Sequence, residues 1–229
     1  MIRESILVLA ALATAASANI SITELSTKSA NDPEDYFEIT NFGATDFDIS
    51  GWSFDDESAD FSLSALLNGI TTIGAGESVI LFQLDEQDMM DPAYDPAGEV
   101  SLFRSYWGGL SGVQVGWYAG AGLGKGDAIN LFDSMGTLAL TLEYGMTDPN
   151  QTHAGDWAAG NFDGSDTYEN DAAIWVPGSM GDFVLAADGV YGSFQNSEGE
   201  WGSPGVVPAP SAAALLGLGG LAASRRRRS

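Results

Sequence analysis

Carboxylates are the side chains of this sequence best suited to chemistry, because acids outnumber bases 32 to 8 and cysteine is absent. Asp163, Asp166 and Glu169 lie close together around Gly164, and oxygen ligands on a glycine-containing loop are favoured by calcium. Their spacing does not match an EF-hand, so they predict either a calcium site or an acidic loop that faces water. Residues 55–57 form a second acidic cluster, and no other cofactor is expected.

Paired carboxylates also permit a hydrolase, since a glycosidase holds two carboxyl groups about 5–9.5 Å apart in a cleft. The sequence does not distinguish any one pair of carboxylates from the others as a catalytic pair, so we expect no enzymatic activity. The absence of cysteine excludes thiol catalysis, thiolate metal sites and disulfides. The single histidine, His153, excludes multi-histidine metal centres, and no Gly-x-Ser-x-Gly elbow accompanies it.

The charge is concentrated in the middle of the chain. Residues 19–205 contain 31 acids against Lys28, Arg104 and Lys125, a net charge of −28. Such a surface repels phosphate backbones, so the sequence predicts no nucleic-acid partner. The same charge keeps an exported protein soluble and dispersed.

The first 18 residues have the features of a signal peptide. Arg3 precedes an apolar run over residues 6–13, and Ala16 and Ala18 form a small-x-small cleavage site for signal peptidase. The run is too short to cross about 30 Å of hydrocarbon comfortably. A buried N-terminal helix is the alternative, but it does not explain this order of features.

The last 24 residues predict a membrane anchor. Two prolines end any preceding strand, an uncharged helix is expected over residues 211–224, and arginines follow directly. By the positive-inside rule the arginines remain cytoplasmic, which places the bulk of an exported chain outside the inner membrane. The alternative is a disordered basic tail. The defining residues are Pro208, Ala209, Pro210, Arg225, Arg226, Arg227 and Arg228.

This tail resembles the PEP-CTERM sorting signal of bacterial exopolysaccharide-associated proteins. In that signal a Pro-Glu-Pro motif precedes a short transmembrane helix and a basic cluster, and a membrane protease, an exosortase, is thought to cleave it. Residues 207–228 follow the same order, with Ala209 in place of the usual glutamate. The resemblance implies exosortase-type sorting to the cell surface or extracellular space, with exopolysaccharide as a partner.

The central residues have the period-2 alternation of short β-strands separated by turns, which is typical of a sandwich or barrel. A helix is expected where Asp95 caps and Pro96 fills the first turn, ending near Trp107. Residues 133–136 predict a hairpin, and residues 148–170 a long acidic surface loop.

The central pattern resembles the lamin tail domain. Residues 22–25, 35–43 and 48–52 match its "I-x-E", "E-(F/Y)-(V/I)-E-(L/I)-x-N" and "D-L-S-G-W" stretches, and the likeness continues over residues 73–77, 126–133 and 203–205. The resemblance implies an all-β, immunoglobulin-like β-sandwich with one short helix over residues 19–205. Residues 20–145 match best, and an insertion is expected around residues 85–122. The family implies a scaffold with no catalytic residues to transfer.

Large aromatic side chains add to these predictions. Trp52 and Trp175 are expected in the core, whereas Trp107, Trp117 and Trp157 lie near glycines and either pack internally or stack on sugars. Three functions follow. The favoured one is an exported, non-catalytic surface or matrix protein, and the alternatives are a calcium-dependent carbohydrate-binding module and a secreted carboxylate-pair hydrolase.

Overall fold

The structure, a computed structural model, describes residues 20–27, 35–85, 89–124, 127–144, 171–177 and 183–207. Within these ranges the elements are β1 (Ile20–Ser26), β2 (Tyr36–Asn41), β3 (Phe47–Asp48), β4 (Ser53–Asp55), β5 (Ala65–Leu66), β6 (Thr72–Ile73), β7 (Ser78–Leu84), α1 (Pro96–Tyr106), β8 (Gln114–Ala119), β9 (Asp127–Phe132), β10 (Leu138–Tyr144), β11 (Ala173–Trp175), β12 (Phe183–Leu185), β13 (Phe194–Gln195) and β14 (Trp201–Gly202).

Two sheets form the body of the molecule. The larger sheet has the strand order β12-β11-β1-β2-β7-β8, and the smaller one has the order β10-β9-β4-β5. Two further pairs, β13-β14 and β3-β6, stand outside them. The all-β prediction is confirmed, and the predicted hairpin joins β9 to β10 as an antiparallel pair.

The main core lies between the two sheets, because alternate residues of each strand are apolar and point inward. Phe37 and Ile39 of β2 meet Leu131 of β9 in this core, and each of the three is fully buried. Trp52 is also buried there, as expected. Trp175 is only half-buried and lies at the edge of the core, where its ring packs 5.4 Å from that of Phe42.

The region in which an insertion is expected contains a crossover. Strands β7 and β8 are neighbours and run parallel, so the chain needs a long connection between them, and α1 supplies it. Asp95 caps the helix by accepting the backbone N–H of Ala97 at 3.1 Å, and Pro96 begins its first turn, as the sequence predicts. The crossover lies within residues 85–122, the region in which an insertion is expected.

The six-stranded sheet is buried on its other face as well. Tyr36 and Phe82 on this second face pack against Phe103 and Trp107 at the end of α1, forming a separate core. The molecule therefore has three layers rather than the two of a simple sandwich. Trp107 is 3% exposed, so it is a packing residue and not a surface for stacking sugars.

The final described segment covers the remaining part of the second face. β14 ends at Gly202, and in the turn that follows the Val206 N–H donates to the Ser203 carbonyl at 2.9 Å. Gly205 adopts a φ of +79°, a left-handed conformation that favours glycine. We call residues 201–207 the closing segment.

Within the described ranges, no helix has both the length and the apolar character needed to cross a membrane. The predicted signal peptide, the acidic loop at residues 148–170 and the predicted sorting signal from Pro208 onward lie outside these ranges.

Candidate functional site

Two glutamates reach the second face of the larger sheet from neighbouring strands. In β1 the pairing register shifts between Ile22 and Glu24, so both Ile22 and Leu25 enter the main core while Glu24 faces the other way. In β2 ordinary alternation places Glu38 on the same face as Tyr36. We call Glu24 and Glu38 the glutamate pair; their side chains are 0% and 1% exposed.

Both oxygens of Glu24 are engaged. Its Oε1 accepts the Tyr36 hydroxyl at 2.5 Å and the backbone N–H of Ser203 at 2.9 Å. Its Oε2 pairs with the Ser203 hydroxyl. The strand carboxylate thus binds main-chain and side-chain groups of the closing segment at once.

Glu38 makes the second set of contacts. Its Oε1 accepts the Thr23 hydroxyl at 2.7 Å, and its Oε2 accepts the backbone N–H of Gly205 at 2.6 Å. The Thr23 hydroxyl also pairs with that of Thr40 at 2.7 Å, and Thr40 pairs with Ser78 at 2.5 Å. We call these three side chains the hydroxyl chain.

Burial sets the electrostatics of the glutamate pair. Loss of water raises the pKa of Glu24 and, together with the neighbouring charge of Glu24, raises that of Glu38 to about 8. Burial and the same carboxylate also raise the pKa of Tyr36. Arg104 is the one cation among the described residues, and its guanidinium donates to the carbonyl oxygens of Leu110 and Val113 at 2.8 and 2.7 Å.

The pair therefore binds the protein's own backbone. Every oxygen of the two carboxyls has a hydrogen-bond partner within the chain, and the closing segment covers both groups. A substrate would have to displace that segment to reach either carboxyl. The two glutamates attach the closing segment to the larger sheet. The sequence alone does not indicate this role.

A different group of acids meets nearer the surface. Ligand oxygens of Asp56, Glu57 and Asp127 all lie within 4.8 Å of one another. The sequence singles out residues 55–57, but the structure replaces Asp55 by Asp127 of β9. Asp55 instead accepts the backbone N–H of Asp60 at 2.6 Å. Asp127 is distant in sequence, so spacing alone could not assign it to this cluster.

Asp127 is already heavily bonded. Its Oδ1 accepts the N–H groups of Glu57 at 3.2 Å and Ala128 at 2.8 Å, and its Oδ2 accepts that of Gly124 at 2.6 Å. Burial raises its pKa to about 7. Either a proton on Asp127 or a bound cation would relieve the repulsion among these three carboxylates, so the cluster is a candidate cation site.

Exposed apolar side chains occupy the outer face of the smaller sheet. One row crosses all four strands through paired positions, and the Phe61 ring lies 5.7 Å from one member, Phe132. A shallow pocket of about 170 Å³ opens nearby, lined by Phe54, Asp55, Leu63, Ser64, Ala65, Ala119, Gly120 and Ala121. The row is formed by Leu66, Ser53, Phe132 and Leu138; Leu66 and Leu138 are exposed, whereas Ser53 and Phe132 are buried.

Other motif residues also have structural roles. The Asn41 amide donates to the carbonyl oxygens of Ile73 and Gly74 at 3.0 and 3.1 Å, which attaches the end of β2 to the turn after β6. Asp48 accepts the Ser50 N–H at 2.8 Å, and Gly51 turns the chain with a φ of +72°. The motifs thus maintain the architecture.

Several predicted site residues lie outside the described ranges, and the assignments made for them stay predictions. They are the calcium candidates Asp163, Asp166 and Glu169, the cleavage-site residues Ala16 and Ala18, and the sorting residues Pro208, Ala209, Pro210, Arg225, Arg226, Arg227 and Arg228.

Comparison with known proteins agrees with this architecture. The family model of the Lamin Tail Domain matches residues 13–146, more than half of the chain. Among curated proteins no match is found. The family match ends just after β10, yet β11 and β12 extend the larger sheet and the closing segment binds Glu24 and Glu38 inside the matched region. The chain belongs to the lamin tail domain family.

Proposed function

We propose that the chain is an exported, non-catalytic protein of the cell surface or extracellular matrix, which displays an acidic immunoglobulin-like domain and is sorted by a C-terminal membrane anchor. The observation that carries the proposal is the position at which the domain closes. Ser203 and Gly205 bind the glutamate pair, only a few residues before the Pro-Ala-Pro motif at 208–210. A sorting signal that follows a closed domain is available to membrane machinery without unfolding that domain.

The acidic composition supports display outside the cell, since a strongly negative surface keeps neighbouring copies apart. The non-catalytic part of the proposal is supported by the bonding of the buried acids. Glu24 and Glu38 are covered, and both oxygens of Asp127 accept backbone N–H groups.

The test is fractionation of the full-length protein in a bacterium that has an exosortase. We expect a mature N-terminus at Asn19 and passage through the inner membrane to the surface or medium. Replacing Arg225 to Arg228 by alanine removes the charge that fixes orientation and should block sorting. Replacing the same four residues by lysine keeps the charge and is the matched control. Full-length protein in the cytosol with both ends intact would contradict the proposal.

Calcium-dependent carbohydrate binding is a second candidate, favoured by the three carboxylates of Asp56, Glu57 and Asp127. Calorimetric titration of the full-length protein with calcium chloride tests it. Loss of heat in Asp56→Asn would assign binding to this cluster, whereas loss in an Asp163→Asn/Asp166→Asn variant would assign it to the acidic loop. No heat in the unmodified protein would exclude this candidate.

A glycan array run with and without calcium then tests carbohydrate recognition. A reducing-sugar assay on the same preparation tests the hydrolase alternative, for which we expect no release of product.

A further inference from the structure

The contacts between the glutamate pair and the closing segment restrict where a proton can reside. Two N–H groups and one phenol O–H point at Oε1 of Glu24 and Oε2 of Glu38, so these two oxygens must act as acceptors. The other two carboxyl oxygens face the hydroxyls of Ser203 and Thr23. A hydroxyl both donates and accepts, so a proton on either of those oxygens keeps every backbone contact in place.

The hydroxyl chain makes this adjustment available to Glu38. When Glu38 is protonated on Oε1, the carboxyl donates to Thr23, and the Thr23 hydroxyl turns to donate to Thr40. When Glu38 is ionised, Thr23 donates to Oε1 instead. Thr40 and Ser78 can exchange donor and acceptor roles in step, since either atom of each pair can donate.

We propose that the glutamate pair is a proton-dependent clasp, which holds the closing segment while the pair carries a proton and releases it when both carboxyls are ionised. Two negative charges buried side by side are costly unless a cation or water approaches. Arg104 is engaged with two carbonyl oxygens, so movement of the closing segment is the route by which water can reach the pair.

Hydrogen-bond donors around the pair favour the ionised carboxyls, but the loss of water has the larger effect and raises the pKa of both. Tyr36 on β2 donates to Glu24, and Glu200, buried next to β14, adds a further negative charge. Asp171 accepts the backbone N–H of Trp201 at 2.9 Å. Thr23, Thr40 and Ser78 are uncharged, and so are Trp107, which directly follows α1, and Ile174 of β11. Ionisation of both glutamates therefore meets acids and neutral groups on every side.

The raised pKa of both carboxyls agrees with the geometry, since the closed form retains a proton at neutral pH that the open form gives up. A rise in the pH of the surrounding solution is thus the signal that loosens the closing segment. The inference goes beyond the proposed function, because it requires neither export nor an anchor.

Hydrogen exchange of the full-length protein tests the clasp. The protection factors of the Ser203 and Gly205 amides, corrected for intrinsic exchange, are compared at pH 6 and pH 8, with the Ile129 and Leu131 amides of β9 as internal reference. We expect the two amides to lose at least about tenfold more protection than β9, since release of one proton gives up to about tenfold per pH unit.

Variants separate the glutamate pair from general surface charge. Glu38→Gln retains an acceptor for Gly205 but cannot ionise, so its loss of protection between the two pH values should be smaller than in the unmodified protein. Glu24→Gln/Glu38→Gln should abolish the loss. Glu198→Gln is the matched control. It removes an exposed carboxyl between β13 and β14, and its protection should depend on pH as in the unmodified protein.

Protection that stays constant between pH 6 and pH 8 in the unmodified protein would overturn the proposal, whether or not the variants fold. So would an unchanged pH dependence in folded Glu24→Gln/Glu38→Gln, or its disappearance in Glu198→Gln.

Discussion

The backbone N–H of Gly205 donates to Oε2 of Glu38 at 2.6 Å, although 167 positions of sequence separate the two residues. The neighbouring contact from Ser203 to Glu24 spans 179 positions. These two contacts attach the closing segment to β1 and β2. The folded domain therefore extends well past the end of the family match at residue 146.

Stability should decrease as the pH rises from about 5 to 8. The folded pKa of Glu38 is about 8 against a usual 4.5, so its contribution is complete below pH 4.5 and is lost as the pH rises through 8. Asp127, with a pKa of about 7, acts in the same direction. Each group contributes a slope of up to about 1.4 kcal/mol per pH unit.

Hydrogen bonds from nearby donors have the opposite effect on three exposed carboxyls, whose pKa values are lowered. Their contribution is present above pH 3.8 and is lost as the pH falls through the folded values, so the maximum of stability should lie between about pH 4 and 5. Urea unfolding across this pH range is the measurement, and a free energy that rises steadily from pH 5 to 8 would contradict the prediction. The three residues are Asp48, Asp60 and Asp133.

Gly202→Ala should destabilise the domain by about 1–3 kcal/mol, because an added methyl group overpacks the second face. A Cβ at this position would lie 2.6 Å from the Trp107 ring, 2.7 Å from the Tyr36 hydroxyl and 3.0 Å from Oε1 of Glu24. The midpoint of urea unfolding should fall with little change in slope. An unaltered midpoint would mean that the closing segment is not packed as described.

Gly98→Ala is the matched glycine substitution on an exposed surface. Its Cβ would meet only the carboxylate of Asp95, at 3.0 Å from Oδ2, whereas the cap is made by Oδ1. Because alanine favours helix more than glycine does, we expect a gain of about 0.5–1 kcal/mol in the same unfolding experiment. If Gly98→Ala lowered the free energy of unfolding as much as Gly202→Ala does, crowding around residue 202 would not explain the effect of Gly202→Ala.

Thr40→Val should cost about 1–3 kcal/mol, because it keeps the shape of the side chain but interrupts the hydroxyl chain between Thr23 and Ser78. Thr40 is fully buried, so water cannot replace the lost partner. Thr71→Val, on an exposed loop, is the control and should change the free energy of unfolding by less than about 0.5 kcal/mol. Equal effects in the two variants would argue against the hydroxyl chain.

Asp95→Ala should lower the free energy of unfolding by about 1 kcal/mol, because the carboxylate caps the first turn of α1. Thermal unfolding followed by circular dichroism measures the loss. Asp95→Asn retains a capping oxygen and should stay within a few tenths of a kcal/mol of the unmodified protein. A stability loss in the asparagine variant equal to that in the alanine variant would contradict the assignment of the cap.

Local patterns predict much of this fold. The alternation in β1, β2 and β10, the hairpin at residues 133–136 and the helix after Asp95 all depend on neighbours within a few positions, and each is present. The packing of these elements cannot be predicted in the same way. The residue pattern of α1 indicates a helix, but it does not indicate that the helix connects β7 to β8 and forms a third layer.

The glutamate pair illustrates what the sequence cannot reveal. Tyr36, Glu38 and Thr40 alternate with apolar residues, a pattern typical of a strand with one face in water. The structure buries that polar face, because α1 and the closing segment come from distant parts of the chain to cover it. The pairing of Asp127 with Asp56 is hidden for the same reason.

The closing segment is synthesised long after β1 and β2, because the ribosome makes the chain from its amino terminus. Glu24 is synthesised 179 positions before Ser203. Its carboxylate oxygens therefore remain open to water until the closing segment has been made. A nascent or truncated chain that stops short of Gly205 can assemble the interface between the two sheets and still leave both carboxylates hydrated. A chain must therefore be synthesised at least as far as Gly205 before both carboxylates are covered.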